Sequence, residues 1–184
     1  MILSVLIPVY NEEKTVEAII NKVNSLPVEK EIIVIDNCSQ DCTTAILRSF
    51  SLSNLKVIHH ASKRDRAAAL RTGLENATGE FIIVLEPGLE YDPNDYLKLL
   101  EAARNQGADL VLGARAGKGS FLTVILNLLF GVSLRDWFSR YQVIRRQSLL
   151  NLAPRLRGQN PAFEILIRAL RKRMRVIELP VAHV

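Results

Sequence analysis

Cysteine is almost absent from this sequence: Cys38 and Cys42 are the only two in 184 residues. Two thiols make neither a disulfide framework nor a zinc site by themselves, and both are expected to be reduced bystanders. No stretch reaches the roughly 18–20 uncharged apolar residues that cross a bilayer as a helix. The opening Met1-Ile2-Leu3-Ser4 lacks the charged-then-apolar layout of a secretion signal, which points to a cytoplasmic protein. There is no internal repeat, low-complexity tract or linker. The basic residues are not interleaved with aromatics or set in a recognition motif, so nucleic acid is not an expected partner. His59, His60 and His183 have no companions at metal-ligand spacing and receive no role.

What is present is an ordinary globular composition, 48% hydrophobic and 23% charged, in a length that suits one domain with a full core. The net charge of +5 is unevenly spread. Residues 1–110 hold 11 Lys/Arg against 16 Asp/Glu, while residues 111–184 hold 13 against 3. The C-terminal part is therefore expected to face something anionic: nucleic acid, phospholipid and a lipid-linked phosphate all fit on charge alone.

Leu3 to Val9 and Glu31 to Asp36 read as strands buried on both faces. Between them, Asn11 is placed to cap a helix whose first turn carries Glu12 and Glu13, with Val16, Ile19, Ile20 and Val23 at helical spacing and Pro27 as the stop. A short helix from Thr43 to Phe50, a strand from Leu55 to His59, a helix from Ala67 to Ala77, a strand from Phe81 to Leu85, a helix from Asp95 to Asn105 and a strand from Asp109 to Gly113 follow. This alternation predicts an α/β fold with a mostly parallel central sheet flanked by helices. Ligands of such sheets sit at the carboxyl ends of the strands. The polar loops there are Tyr10 to Glu12, Asp36 to Asp41 and Glu86 to Asp92, which are expected to build one pocket. Beyond them, Phe121 to Leu134 is fourteen residues without a charge, bracketed by Lys118 and Arg135. It is too short to span; a core helix and a segment lying at a lipid interface both fit, and its all-round apolar character between basic flanks favours the interface. Tyr141 to Arg145 and Arg175 to Pro180 read as strands, and Pro161 to Arg173 as a helix with a basic end.

The ordered motifs carry a resemblance. Ile7-Pro8-Val9-Tyr10-Asn11-Glu12-Glu13 is similar to the P-x-Y-N-E signature of the inverting family 2 glycosyltransferases with the GT-A fold. Ile33 to Thr43 resembles their D-D-G-S-x-D-G-T signature, and Ala68 to Gly73, Ala77 to Glu80, Leu89 to Pro93, Gly113 to Arg115, Asp136, Tyr141 and Glu178 to Val181 continue it in order. The most similar branch is the dolichol-phosphate and polyprenyl-phosphate sugar synthases. The resemblance implies a single Rossmann-like GT-A domain over residues 1–184, with residues 1–113 binding a nucleotide sugar and residues 114–184 facing acceptor and membrane. It implies that Pro8, Tyr10 and Glu12 hold the nucleotide, and that Asp36 with Asn37 reads the base edge. Arg115 would meet the diphosphate or the sugar, its planar fork suiting phosphate oxygens. Glu86 would stand in the metal motif and take part in catalysis, with Mg or Mn as the implied cation. The implied reaction moves the sugar to a lipid phosphate acceptor at the cytoplasmic membrane face.

Departures from the pattern bear on chemistry. The metal motif D-x-D falls on Glu86-Pro87-Gly88, which keeps one carboxylate. N-x-G-K-G reads Lys63-Arg64-Asp65-Arg66-Ala67, exchanging two glycines for bulk and charge. Asn37 replaces a carboxylate, and Cys38, Cys42 and Arg140 stand where glycines are usual. The alternative reading is therefore a catalytically impaired relative that holds nucleotide or a partner without turnover.

Overall fold

Ile32, Ile33, Val34 and Ile35 are all 0% exposed, so both faces of their strand are covered, as an interior strand of a parallel sheet requires. The computed structural model describes residues 2–85, 92–115, 121–153, 156 and 160–181, which form two compact units. The first comprises Met1–Leu89 with residues 157–159, and the second comprises Glu90–Leu156 with Asn160–Val184.

In the first unit, β1 (Leu3–Val9), β2 (Lys30–Asp36), β3 (Leu55–His59) and β4 (Phe81–Val84) pair in the order β3-β2-β1-β4, every pair parallel. Helices α1 (Val16–Asn24), α2 (Thr43–Ser49) and α3 (Arg66–Asn76) connect them. The apolar stripe Val16, Ile19, Ile20 and Val23 of α1 is buried as its spacing requires. The register places Val9, Asp36 and His59 in one row across β1, β2 and β3, at the carboxyl edge of the sheet.

The first helix begins later than the sequence suggests. Asn11 has φ 55°, in the left-handed region, and the N-cap is Thr15 rather than Asn11. Glu12 and Glu13 thus lie in a loop, where the Glu12 carbonyl accepts the amides of Thr15 and Val16. The backbone N–H groups of Asn11, Glu12 and Glu13 are taken by side chains of the loop after β2, a long-range demand that helical periodicity does not reveal.

In the second unit, β5 (Leu110–Ala114) runs parallel to β7 (Val176–Pro180) and antiparallel to β6 (Gln142–Arg145). Helix α4 (Pro93–Gln106) lies against β5 and β6, and Tyr96 on it stacks on Tyr141 with ring centroids 5.2 Å apart. Helices α6 (Arg146–Leu150) and α7 (Pro161–Arg171) follow β6. Helix α5 (Phe121–Phe130) buries none of its residues; Phe121 is 82% exposed and Leu128 86%. Asn127 on that helix anchors the turn beyond it: its Oδ1 accepts from Leu134 N and Trp137 Nε1, and its Nδ2 donates to the Leu134 carbonyl. No described helix is long and apolar enough to cross a membrane.

The opposite, amino end of the first sheet is closed by a polar knot. The Glu31 carboxylate accepts from Ser4 Oγ and from the amides of Thr78 and Gly79, while Gly79 N also donates to Ser4 Oγ. A Cβ on Gly79 would lie 2.6 Å from Ser4 N and 2.7 Å from the Leu3 carbonyl carbon, both backbone atoms that cannot swing aside. Gly79→Ala should therefore cost about 1–3 kcal/mol, read as a lowered urea midpoint with unchanged m-value. An unchanged midpoint would show that the β3–β4 connection has slack that this geometry does not allow.

Candidate functional site

The site residues of the first unit follow from the row Val9, Asp36 and His59. The ladder runs one step further: Asn37 N donates to the Val9 carbonyl at 2.9 Å and His60 N to the Asp36 carbonyl at 2.8 Å. Tyr10, Asn37 and His60 thus leave three neighbouring strands on one edge. Pro8, half-buried in β1 and registered with Ile35, lies just inside them.

The loops after β1 and β2 are zipped together. Asn11 N donates to Ser39 Oγ, Glu12 N to Thr43 Oγ1 and Glu13 N to Asp41 Oδ2. In return, Gln40 N donates to Asn11 Oδ1 and Cys42 N to Glu13 Oε2. The Glu12 carboxylate accepts from Thr15 Oγ1. Cys38, in the bend of this seam, has φ 69°, the left-handed conformation for which glycine is the usual residue. Cys42, by contrast, has φ −73°, and Arg140 is not among the positive-φ residues, so neither position needs a glycine here.

Beneath the seam lies Asp36, 2% exposed. Its Oδ1 accepts Ser39 N, and its Oδ2 accepts Thr44 Oγ1 at 2.7 Å and His59 Nδ1 at 3.0 Å. A carboxylate only accepts, so the His59 proton facing it is on Nδ1. Burial opposes ionisation of this carboxyl, but the hydrogen bonds from Ser39, Thr44 and His59 outweigh it and hold it below its ordinary value of 3.8.

Asn37 makes a second clasp. Its Oδ1 accepts Arg64 N at 2.9 Å and its Nδ2 donates to the Arg64 carbonyl at 2.8 Å, so the carboxamide imitates a neighbouring strand. A carboxylate at this position lacks the donor for the second bond. His60, 9% exposed, completes the arrangement with Nδ1 on Asn37 Oδ1 and Nε2 on Thr72 Oγ1, each at 3.0 Å. Since Asn37 Oδ1 accepts, the ring carries a proton on Nδ1, and in the neutral ring Nε2 receives the Thr72 hydroxyl. Burial and the Arg64 charge lower the basicity of His60, against a smaller opposing pull from Asp36, in keeping with this neutral form. Lys63 Nζ lies 3.6 Å from the centroid of the Tyr10 ring.

The structure therefore brings Pro8, Tyr10, Glu12, Asp36 and Asn37 to one sheet edge of the first unit. Glu86, Pro87, Gly88 and Glu90 lie outside the described residues, as does His183. Among the described residues no three His, Cys, Asp or Glu side chains stand together as a metal set. Arg115 belongs to the second unit, where Asp136, 3% exposed, holds its guanidinium side-on: Nε to Oδ2 at 2.7 Å and Nη2 to Oδ1 at 3.1 Å. Arg115 lines an open cavity of about 800 Å³ within that unit, together with Leu134, Arg135, Glu178 and Leu179. Glu178 is engaged by the amides of Arg135 and Asp136. Sequence reasoning passed over His59, His60, Thr44 and Lys63. For the histidines a signal existed, since they end a strand at the ligand edge; Lys63 and Thr44 acquire meaning only from the tertiary contacts.

Solved structures share this architecture. Glucosyl-3-phosphoglycerate synthase of Mycobacterium tuberculosis, in a complex with Mn2+, UDP and phosphoglyceric acid, superposes with a TM-score of 0.75 at 20% identity over 97% of this chain and 68% of that one. S. aureus TarS 1–349 in complex with UDP-GlcNAc gives a TM-score of 0.74 at 17% identity over 100% and 60% of the two chains. The fold is the GT-A fold, as the family resemblance implied, and its α/β, mostly parallel sheet is the one that the alternation of elements implied. The chain belongs to glycosyl transferase family 2, whose model matches residues 4–164. A dolichol-phosphate mannosyltransferase of Pyrococcus furiosus is 33% identical over 122 residues, 65% of this chain and 34% of that protein. A dodecaprenyl-phosphate galacturonate synthase of Rhizobium johnstonii is 26% identical over 160 residues, 78% of this chain and 47% of that protein. The chain thus spans between 34% and 47% of the length of these two relatives.

The depressed Asp36 carboxyl makes a pH prediction. A carboxyl whose folded value lies below its unfolded one stabilises the fold above about pH 4, and this is lost as pH falls through the folded value. The stability gap between the wild type and Asp36→Asn, measured by urea unfolding, should be full at pH 7 and narrow steadily below pH 4. A gap that stays constant to pH 2 would mean that ionised Asp36 is not what the seam is built on.

Proposed function

We propose that this chain forms the donor-binding and transfer domain of an inverting glycosyltransferase that moves a sugar from a nucleotide sugar to a polyprenyl-phosphate-type lipid acceptor at a membrane surface. The observation that carries this reading is the convergence of Tyr10, Glu12, Asp36 and Asn37 on one carboxyl edge of a parallel sheet, with their loops held rigid against one another. Relatives named as polyprenyl-phosphate and dolichol-phosphate sugar transferases support the acceptor class.

On this reading the Tyr10 ring packs the base or ribose, and the half-exposed Glu12 carboxylate accepts ribose hydroxyls. Asp36 and Asn37, whose polar atoms are largely engaged within the protein, act by fixing the loops that face the base. In the second unit Asp136 orients Arg115, and the adjoining cavity sets Arg115 and Arg135 among apolar walls, with the Glu178 carboxylate engaged by the Arg135 and Asp136 amides, a lining that suits a phosphate joined to a hydrocarbon chain. The acceptor phosphate oxygen, already ionised, attacks the anomeric carbon. The bond from that carbon to the diphosphate breaks, the nucleoside diphosphate leaves, and the configuration inverts. No strong base is required.

A divalent cation, when bound, would neutralise the leaving diphosphate. Glu86 is the one carboxylate its motif offers, and Gly88 brings no side chain, a donor set poorer than two carboxylates for a hard cation. Helix α5, about 15 Å long at 1.5 Å per residue, is half the thickness of a bilayer core and exposes Phe121, Leu122, Val124, Ile125, Leu128 and Leu129 along one side, which suits an interfacial position.

Two measurements test this. A transfer screen over UDP- and GDP-sugars, with polyprenyl phosphate in vesicles and with or without Mn2+ or Mg2+, should give a lipid-phosphate sugar, and Tyr10→Ala should raise the KM for the donor roughly tenfold. Nucleotide binding with no transfer under any of these conditions would instead support a non-catalytic binder. Separately, the protein should float with vesicles containing anionic lipid, and Leu128→Asp combined with Leu129→Asp should return most of it to the soluble fraction. Wild-type protein that stays in solution at low salt would remove the membrane from the proposal.

A further inference from the structure

The segment 61–66 stands out because the fold spends so much on holding it. It carries Lys63, Arg64 and Arg66, with Asp65 and the following Ala67 where the family pattern has its two glycines, and it sits at the carboxyl edge between β3 and α3. Its backbone is clasped at Arg64 by both ends of the Asn37 carboxamide. That carboxamide is in turn fixed by His60, a buried ring with both nitrogens engaged. Asp65, the only acid in the segment, is occupied as the N-cap of α3, its Oδ1 accepting Ala68 N. Its charge is thereby drawn toward the helix N-terminus.

Two of the segment's cations are candidates for a ligand at this edge. Lys63 and Arg64 are both exposed, and neither joins a salt bridge among the described residues. Lys63 rests instead on the Tyr10 ring. A cation on an aromatic face in contact with water is weakly held, so the ammonium is available to any stronger anionic partner. The ring beneath it offers the base or ribose a surface, and a nucleoside diphosphate bound there brings its phosphates to the same edge. Repulsion between Lys63 and Arg64 would favour flaring of an unrestrained loop. The Asn37 clasp resists that flaring at Arg64, which is a reason for a carboxamide rather than a carboxylate at position 37.

We propose that Lys63 and Arg64, presented by the segment that Asn37 and His60 hold, form a subsite for the diphosphate of a nucleoside diphosphate, and that binding there needs no divalent cation. The proposal rests on the nucleotide-sugar reading given above. Preorganised cations at a leaving diphosphate would neutralise charge at the place where a metal otherwise would. His60 is a positioning residue in this scheme, acting on the ligand through Asn37 and the Arg64 backbone.

Titration calorimetry on the full chain tests it, with UDP, GDP, uridine, guanosine and inorganic pyrophosphate as probes, each in EDTA and in Mn2+. The expected result is that one nucleoside diphosphate binds in EDTA within roughly threefold of its affinity in Mn2+, and far better than its nucleoside. Lys63→Gln with Arg64→Gln should weaken that metal-free binding by about tenfold or more and flatten its salt dependence, while nucleoside affinity stays unchanged. His60→Ala should give part of the same loss with an unchanged far-UV spectrum, and His60→Gln, which can still donate to Asn37 Oδ1, should restore it. Binding that appears only with Mn2+, or metal-free affinity unmoved by the double variant, would overturn the subsite and leave the nucleotide reading standing. Binding of pyrophosphate as tight as that of the nucleoside diphosphates would reduce the site to a general anion patch and overturn it also. If no nucleoside diphosphate binds under any condition, the nucleotide reading itself fails and takes the subsite with it.

Discussion

A buried carboxylate organises the first unit's functional edge. Asp36 ends the interior strand β2 with almost no exposure, and an ion there is tolerable only because Ser39, Thr44 and His59 supply hydrogen bonds. Those three come from the loop after β2, the first turn of α2 and the end of β3. Satisfying one charge therefore fixes three segments at once. The loop after β1 then docks on the one after β2 through its own amides, which leaves Tyr10 and Glu12 on a rigid support rather than on a mobile tip.

The departures from the family pattern make physical sense as a set in this part of the molecule. Asn37 is not simply a carboxylate that has lost its charge. Its amide donates to a carbonyl that an aspartate would repel, and so it holds a segment that carries three cations, with Asp65 and Ala67 where the pattern has glycines. Burial and the Arg64 charge favour the neutral form of His60, which donates to Asn37 and accepts from Thr72 without placing another positive charge beside Arg64. Cys38 is the exception. Its left-handed backbone is the conformation that glycine adopts without cost, and its side chain makes a long contact, Sγ to the Ala61 carbonyl at 4.0 Å.

The second unit handles charge differently. Asp136 is nearly as buried as Asp36, but its partner is a single bidentate guanidinium, so it orients one side chain rather than joining segments. Nearby, Glu178 takes the amides of Arg135 and Asp136, and Asn127 ties down the turn after α5. These bonds leave α5 anchored at its end, with Phe130 against Trp137, while Phe121, Leu122, Val124, Ile125, Leu128 and Leu129 remain exposed. An apolar helix held in place but unburied is consistent with a surface meant to meet something other than this chain's own core.

Much of this was legible in one dimension. The doubly buried strands announced themselves as β-branched runs, since a strand covered on both faces has no polar face to show, and the strand–helix alternation required a mostly parallel sheet. The ligand edge followed from chain direction alone, which placed Tyr10, Asp36 and Asn37 together before any coordinates. Where the first helix starts was not legible. Asn11 and Glu12 look like a cap and a first turn, but their amides are claimed by Ser39 and Thr43, residues remote in sequence. The roles of His59, His60 and Lys63 were hidden for the same reason. A histidine or lysine is read from its partners, and these partners lie on other strands or other loops. Composition and periodicity thus determined the framework, because burial of a whole face is a collective property repeated along the chain. Hydrogen-bond pairing between distant loops decided which polar residues became the site, because each such bond depends on one atom meeting one other atom in space.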